Sequence, residues 1–299
     1  MRRVHFCAGL EESNGMAVVA RFLAKEQDAQ LLDVRDADYR KIRDVDEVWV
    51  HSCWTPGVWR ACHIALKENK RLVRMMHGNL DPVRLGYHGW KKHLVGFIER
   101  FFLRRADVVV ATCQAEAEWI HKYEPKVKKI KVTDVKRFFD FNHETHEKEE
   151  RQHLHLLYLG RRHPLKGVEY LESAVAEIVS ECPSAGVEYH KSSPVEHRVA
   201  SNAFGEEKKR VWEWCDVLVL PTLSENFGLV VAEALERGKR VITTDGAPAW
   251  GDGNDYGGRL VYLKGYRDGL PDERVRLLKN AIERLACKPG VRDGYIEDV

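Results

Sequence analysis

At 299 residues, 44% of them hydrophobic, the chain can bury a core large enough for two domains, and a formal net charge of +2 sets aside a disordered polyelectrolyte. No stretch of about 18 apolar residues occurs, so no membrane-spanning helix is expected. The opening Met1-Arg2-Arg3-Val4-His5-Phe6-Cys7-Ala8-Gly9 is too short for a signal peptide, and seven cysteines without a Cys-x-x-Cys pair predict a reduced, cytoplasmic chain.

Along the first half, apolar runs alternate with helical periodicity in the manner of a Rossmann-like α/β domain. Strands are predicted at Arg3 to Cys7, Gln30 to Val34, Glu47 to Val50, Leu72 to Met75 and Val108 to Ala111, and helices at Met16 to Lys25, Val58 to Asn69 and Trp90 to Arg105. In open parallel sheets, function collects on loops at the strand C-ends. Three such loops carry informative residues: Gly9 to Gly15, His51 to Pro56 with Trp54 suited to stacking on a sugar ring, and His77-Gly78-Asn79-Leu80-Asp81-Pro82. His77 follows a parallel strand and precedes a glycine, which marks it as a functional candidate, whereas Asp81 suits a turn cap before Pro82. The tripeptides Asp36-Ala37-Asp38 and Asp44-Val45-Asp46 lie in a polar segment and read as surface charge, so no metal site is expected.

The stretch Tyr87 to Arg105 mixes Trp90, Leu94, Phe97, Ile98, Phe101 and Phe102 with Lys91, Lys92, Arg100, Arg104 and Arg105. An ordinary amphipathic helix packed on the sheet is the favoured reading. The sharper alternative is an interfacial helix that touches the anionic inner leaflet of a membrane. Through Asp140 the chain has 26 Lys and Arg against 19 Asp and Glu, and the remainder has 22 against 27. A basic first half points to an anionic partner, but the cations are dispersed over several elements and form no stripe with stacking aromatics, which argues against nucleic acid.

The polar segment from Asn142 to His153 is the best linker candidate, which predicts domains over 1–145 and 146–299. Beyond it, Leu156 to Leu159 reads as a strand leading into Gly160-Arg161-Arg162-His163-Pro164-Leu165-Lys166-Gly167. Asp216 to Pro221 reads as another strand, Gly228 to Arg237 as a helix capped by Gly238, and Arg240 to Thr244 as the next strand. This strand-loop-helix-strand unit aims a helix N-terminus at a crevice. Amides around Asn226, Phe227, Gly228 and Leu229 then suit an anion, and Glu225 and Glu233, eight residues apart, can accept hydrogen bonds from hydroxyls nearby.

The Glu225-to-Glu233 spacing resembles the E-x7-E signature of retaining GT-B glycosyltransferases, especially family 4, and Gly160 to Gly167 is similar to that family's G-R-x4-K-G loop. The His77 loop resembles the H-G-x-x-D-P loop of lipopolysaccharide-type members. The segment from Arg104 to Glu118 is similar to the family's end-of-strand segment, with Glu116 and Glu118 in the first turn of the following helix. The resemblance implies two Rossmann-like domains facing each other across a cleft, an N-terminal one for the acceptor and a C-terminal one for the nucleotide-sugar donor. It implies that Arg161 and Lys166 clamp the donor diphosphate, Glu225 binds the donor sugar, Glu233 the ribose, and His77 the transferred sugar, with Gly15 near the phosphates. The implied reaction is transfer of a hexose-type sugar with retention, without a metal or other cofactor, to a cell-surface or lipid-linked glycan. Thr244-Asp245-Gly246-Ala247-Pro248 is expected to line the same cleft, and Trp250 and Tyr256 read as either sugar contacts or surface aromatics.

Asn226 stands where relatives usually have glycine, a Pro-Asn-Gly turn before the linker is replaced by Lys131-Val132-Thr133-Asp134, and the first loop has one glycine of a usual pair. Two alternatives stay open at this stage: a GT-B epimerase acting on a UDP-sugar, and a non-catalytic nucleotide-sugar-binding scaffold.

Overall fold

The computed structural model describes residues 1–10, 15–87, 89–142, 153–181, 195–201 and 203–287. The chain divides into two compact units, Met1–Phe138 and Phe139–Val299. The division falls between Phe138 and Phe139; the boundary expected near residue 145 and most of the polar segment read as a linker lie outside the described residues.

Unit 1 runs β1 (Arg3–Cys7), α1 (Gly15–Glu26), β2 (Gln30–Asp33), β3 (Glu47–His51), α2 (Pro56–Lys67), β4 (Arg71–Met75), α3 (Pro82–Gly86), α4 (Gly89–Arg105), β5 (Val108–Ala111), α5 (Gln114–Tyr123) and β6 (Ile130–Val132). Its sheet has the order β2-β1-β3-β4-β5-β6, every described pairing parallel. Helices cover parallel strands on both faces, which is why β5 reads Val-Val-Val-Ala with every residue buried. Caps set the helix starts: Thr55 accepts from the Val58 amide ahead of Pro56 in α2, and Asp81 accepts from the Val83 amide at 2.9 Å ahead of Pro82 in α3.

Unit 2 runs β7 (Leu154–Leu159), α6 (Val168–Glu181), β8 (Val195–Ala200), α7 (Gly205–Trp214), β9 (Val217–Leu220), α8 (Leu229–Glu236), β10 (Arg240–Thr244), β11 (Leu260–Leu263) and α9 (Pro271–Cys287). Its sheet, again parallel, has the order β11-β10-β9-β7-β8. Among the described residues no helix is long and apolar enough to cross a membrane.

The two strand orders position function. In unit 1 the chain leaves β1 for β2 on one side and returns to β3 on the other, and in unit 2 it leaves β7 for β8 and returns to β9. Each reversal opens a crevice between the loops that follow the two central strands.

Candidate active site

At the reversal in unit 2 lie the loop after β7, with Arg161 and Lys166, and the loop after β9, with Glu225 to Gly228. Backbone bonds tie them together: the Leu223 amide donates to the Leu165 carbonyl at 2.9 Å, and the Thr222 hydroxyl donates to the same oxygen at 3.0 Å. Gly167 lies in the left-handed region at φ 62°, and a Cβ there would sit 2.1 Å from the Pro221 carbonyl. Only glycine allows the loops this approach. Across the junction Lys166 Nζ forms an ion pair with Glu225 Oε2, the two side chains 16% and 22% exposed.

The loop after β10 closes against the same place. The Glu225 amide donates to the Gly246 carbonyl at 2.7 Å, and Thr244 Oγ1 donates to the Thr222 carbonyl. Asn226, expected to offer its amide to an anion, instead donates it to its neighbour's Glu225 Oε1 at 3.1 Å. The anion-facing amides therefore shift to Leu229 and Val230 at the start of α8, beyond Gly228, whose φ of 70° starts the helix; the next amide, Val231, already donates to the Gly228 carbonyl at 2.8 Å.

Behind the turn stands an aromatic cluster that the sequence reading did not assemble. Trp250 Nε1 donates to the Phe227 carbonyl, and the two rings lie 5.3 Å apart. Trp250 and Tyr256 are both buried, which rules out the surface reading of either. Phe141 closes the cluster from the start of the unit, 5.1 Å from Tyr256 and 6.1 Å from Trp250.

Arg161 and Arg162 part company. Arg162 is committed to an ion pair with Glu172, whereas among the described residues no carboxylate engages the exposed Arg161 guanidinium. The Arg161 carbonyl accepts from Tyr158 Oη at 2.8 Å, which anchors the base of the loop. On α8, Glu233 faces Lys208 of α7, whose ammonium lies 2.9 and 2.8 Å from its two oxygens. Glu233 is thus held apart from the Lys166–Glu225 pair by a cation of its own.

In unit 1, Gly15 is the exposed first residue of α1, and residues 11–14 of the expected glycine loop lie outside the described residues. His77 is buried at φ 52°, and it ends a chain of histidines. His77 Nε2 lies 2.9 Å from His51 Nδ1, His51 Nε2 lies 3.0 Å from His5 Nδ1, and His5 Nε2 lies 3.3 Å from Gln27 Oε1. If that Gln27 oxygen accepts, each ring must donate through Nε2 and accept through Nδ1, so His77 presents Nδ1 as a lone pair. Burial pushes His77 down to about 3 and His5 to about 4, and it holds His51 well below its ordinary 6.5, so the chain is neutral near pH 7. The visible signal was three histidines in or just after otherwise apolar strands.

Two buried carboxylates hold the neighbouring loops. Glu116 accepts from the Gly78 amide, and from the Thr112 amide and hydroxyl at 2.7 and 2.8 Å. Glu99 pairs with Arg74 at 3.1 Å, both fully buried, and accepts from the Trp54 amide at 2.7 Å and Trp59 Nε1 at 2.6 Å. Arg74 in turn donates to the Ser52 carbonyl at 2.9 Å. Ser52 and Trp54 sit at φ 79° and 66°, values that side chains rarely adopt, and this network over-determines them. The two Asp-x-Asp tripeptides behave as surface charge: Asp38 caps a short turn and pairs with Arg40, and Asp46 accepts from the Arg2 amide.

Comparison with known proteins bears on the fold that carries these loops. Residues 30–134 match the Glycosyl transferase 4-like domain, and residues 153–280 match Glycosyl transferases group 1. D-inositol 3-phosphate glycosyltransferase of Corynebacterium efficiens is 26% identical over 176 residues, which are 48% of this chain and 42% of that relative, so the match spans under half of the relative's length. Anabaena Alr3699/HepE in complex with UDP and glucose superposes with a TM-score of 0.62 at 15% identity, over 95% of this chain and 90% of the other. The lipopolysaccharide outer core galactosyltransferase WaaB in its apo form gives 0.59 at 14% identity, over 96% and 91%. The fold is that of the GT-B glycosyltransferases.

Proposed function

We propose that this chain, built from a glycosyl transferase 4-like domain followed by a glycosyl transferases group 1 domain, transfers a hexose-type sugar from a nucleotide sugar to a cell-surface or lipid-linked glycan with retention of configuration. The observation that carries the reading is the Lys166–Glu225 ion pair at the β7/β9 reversal, set beside the open amides of α8. A diphosphate reaching this crevice meets the Lys166 ammonium, the exposed Arg161 guanidinium and a helix N-terminus, three groups that favour anionic oxygen. As Lys166 turns to phosphate, Glu225 is released to accept hydrogen bonds from donor-sugar hydroxyls, and Glu233 from the ribose. In this reading unit 2 holds the donor and unit 1 the acceptor, with Gly15 near the phosphates.

In the reaction, an acceptor hydroxyl oxygen forms a bond to the sugar's anomeric carbon on the face from which the bond to the diphosphate oxygen breaks. The hydroxyl proton passes to the departing phosphate, and the charge that grows there is stabilised by Arg161, Lys166 and the helix amides. No protein nucleophile is required. His77, neutral and fixed by His51, contacts the transferred sugar. The reading needs no metal and places the protein in the cytoplasm, where nucleotide sugars are at hand. The UDP-bound neighbour supports a uridine donor, and the WaaB likeness supports a lipopolysaccharide-type acceptor, both as parts of this proposal.

Calorimetric titration with UDP, GDP and ADP sugars, with and without magnesium, tests it on wild type and Lys166→Ala. Magnesium-independent binding of one nucleotide class that is lost in the variant is the expected result. Binding of none would overturn the reading, binding without any transfer would leave the nucleotide-sugar-binding scaffold, and conversion of the donor sugar without an acceptor would point to an epimerase.

A further inference from the structure

Helix α4 carries apolar residues on two faces, only one of which meets the core. Phe102 and Leu103 are buried against unit 1, and Glu99 between them and the loop is fully buried with Arg74. Trp90, Leu94, Phe97 and Phe101 instead stand 63%, 66%, 70% and 44% exposed. At 100° per residue these four fall within an arc of about 60°, along roughly 16 Å of helix. The expected packing of this helix on the sheet thus accounts for one face and leaves a line of large side chains in water, which a soluble surface rarely keeps without a partner.

Charge around the stripe has one sign. From Pro82 to Arg105 the chain has six Lys or Arg and a single acid, the buried Glu99. Arg104 and Arg105 are exposed at the C-terminal end, with the Arg105 guanidinium 4.8 Å above the Phe101 ring. Beside Phe97 opens a cavity of about 390 Å³ whose wall carries Lys92, Arg100 and Lys122. Among the described residues, the one acid from outside the segment that these arginines engage, Glu124, is itself buried, 2.9 Å from Arg104 and 3.9 Å from Arg100.

We infer that this stripe and its flanking cations dock on the anionic surface of a lipid bilayer, with Trp90, Leu94, Phe97 and Phe101 entering the headgroup region. Aromatic and aliphatic side chains on one face with cations alongside match an interfacial helix, whose apolar part enters the lipid while the cations meet headgroup phosphates. A second copy is disfavoured by the same charge, because a twofold contact would lay each cation cluster against its own image. The inference rests on unit 1 alone and holds whichever sugar is transferred.

Flotation of the purified full chain with vesicles of phosphatidylcholine, and of phosphatidylcholine mixed equally with phosphatidylglycerol, tests it. Wild type is expected to float with the mixed vesicles only, and raised salt should weaken the association. The exposed double variant Trp90→Ser with Phe97→Ser should keep the wild-type melting temperature and lose at least about tenfold in vesicle partition, since the apolar area that would enter the lipid is gone. Arg105→Glu should lower binding to the mixed vesicles in the same direction. Wild type left wholly in the soluble fraction, equal flotation with neutral vesicles, or binding unchanged in the double variant would each overturn the inference. Concentration-dependent self-association without vesicles, lost in the double variant, would overturn it in favour of a contact between copies.

Discussion

Lys166, from the loop after β7, and Glu225, from the loop after β9, form an ion pair across the point where the strand order of unit 2 reverses. Neither residue is near the other in sequence, and the Leu223–Leu165 backbone bond that aligns their loops is possible because Gly167 has no Cβ to strike Pro221. Lys166→Ala and Glu225→Ala are each expected to lower kcat/KM by about 10² to 10³, the range seen when one group that stabilises transition-state charge is removed. Because both side chains reach solvent, melting temperatures should shift by only a few degrees. Steady-state kinetics beside calorimetric melting checks both parts, and wild-type turnover in either variant would refute the assignment.

Gly167→Ala is expected to act differently. The added Cβ would lie 2.1 Å from the Pro221 carbonyl at a φ of 62°, so the two loops must separate. A loss of about 3 kcal/mol or more in stability together with loss of nucleotide binding is the expected outcome. Urea unfolding and calorimetric titration of one preparation test it, and tight binding with native stability would show that the loop approach is dispensable.

Trp250→Phe keeps the ring in the aromatic cluster and removes the N–H that donates to the Phe227 carbonyl. Leaving that buried carbonyl without its partner should cost about 1–3 kcal/mol and weaken binding at the adjacent turn. The measurement is denaturant unfolding with donor titration, and a loss confined to stability would detach the tryptophan from the site.

The histidine chain predicts a pH dependence. Burial lowers all three histidines in the native state, while unfolded histidine titrates near 6.5. Below about 6.5 the unfolded chain therefore binds protons that the native chain does not, and stability present at pH 7 is lost as pH falls toward 4. Each histidine that stays neutral adds about 1.4 kcal/mol per pH unit across that window. Unfolding free energies at pH 7, 6 and 5 should fall less steeply in His5→Phe than in wild type. Parallel slopes would show that His5 is protonated in the fold.

Glu99→Ala removes the acceptor of the Trp54 amide and of Trp59 Nε1 and leaves Arg74 buried without its counter-charge. A destabilisation of about 3–5 kcal/mol is expected. Thermal unfolding measures it, and a change under about 1 kcal/mol would mean that water replaces the carboxylate.

Much of this protein was legible from local pattern. The strands at Arg3–Cys7, Val108–Ala111 and Arg240–Thr244 have the bounds their apolar runs predict, since a parallel strand covered on both faces has to be apolar. The α8 unit was readable too, because glycine at each end punctuates a helix whatever surrounds it. The motif residues could be named from spacing, and Asp81 was recognisable as a cap because capping acts within one turn.

What spacing could not decide was which groups are already engaged. The Asn226 amide is taken by Glu225, Glu233 is held by Lys208, Arg162 by Glu172 while Arg161 stays exposed, and Trp250 turns inward to Phe227. Nor could it join His5, His51 and His77, which lie 46 and 26 residues apart along the chain, or show that half of the apolar residues on α4 face water. Strand and helix patterns follow from contacts a few residues apart and are written in the order of side chains. The partner of a charge, the direction of a buried hydrogen bond and the exposure of a helix face depend on which distant loops and strands fold against them, and only the tertiary structure sets that.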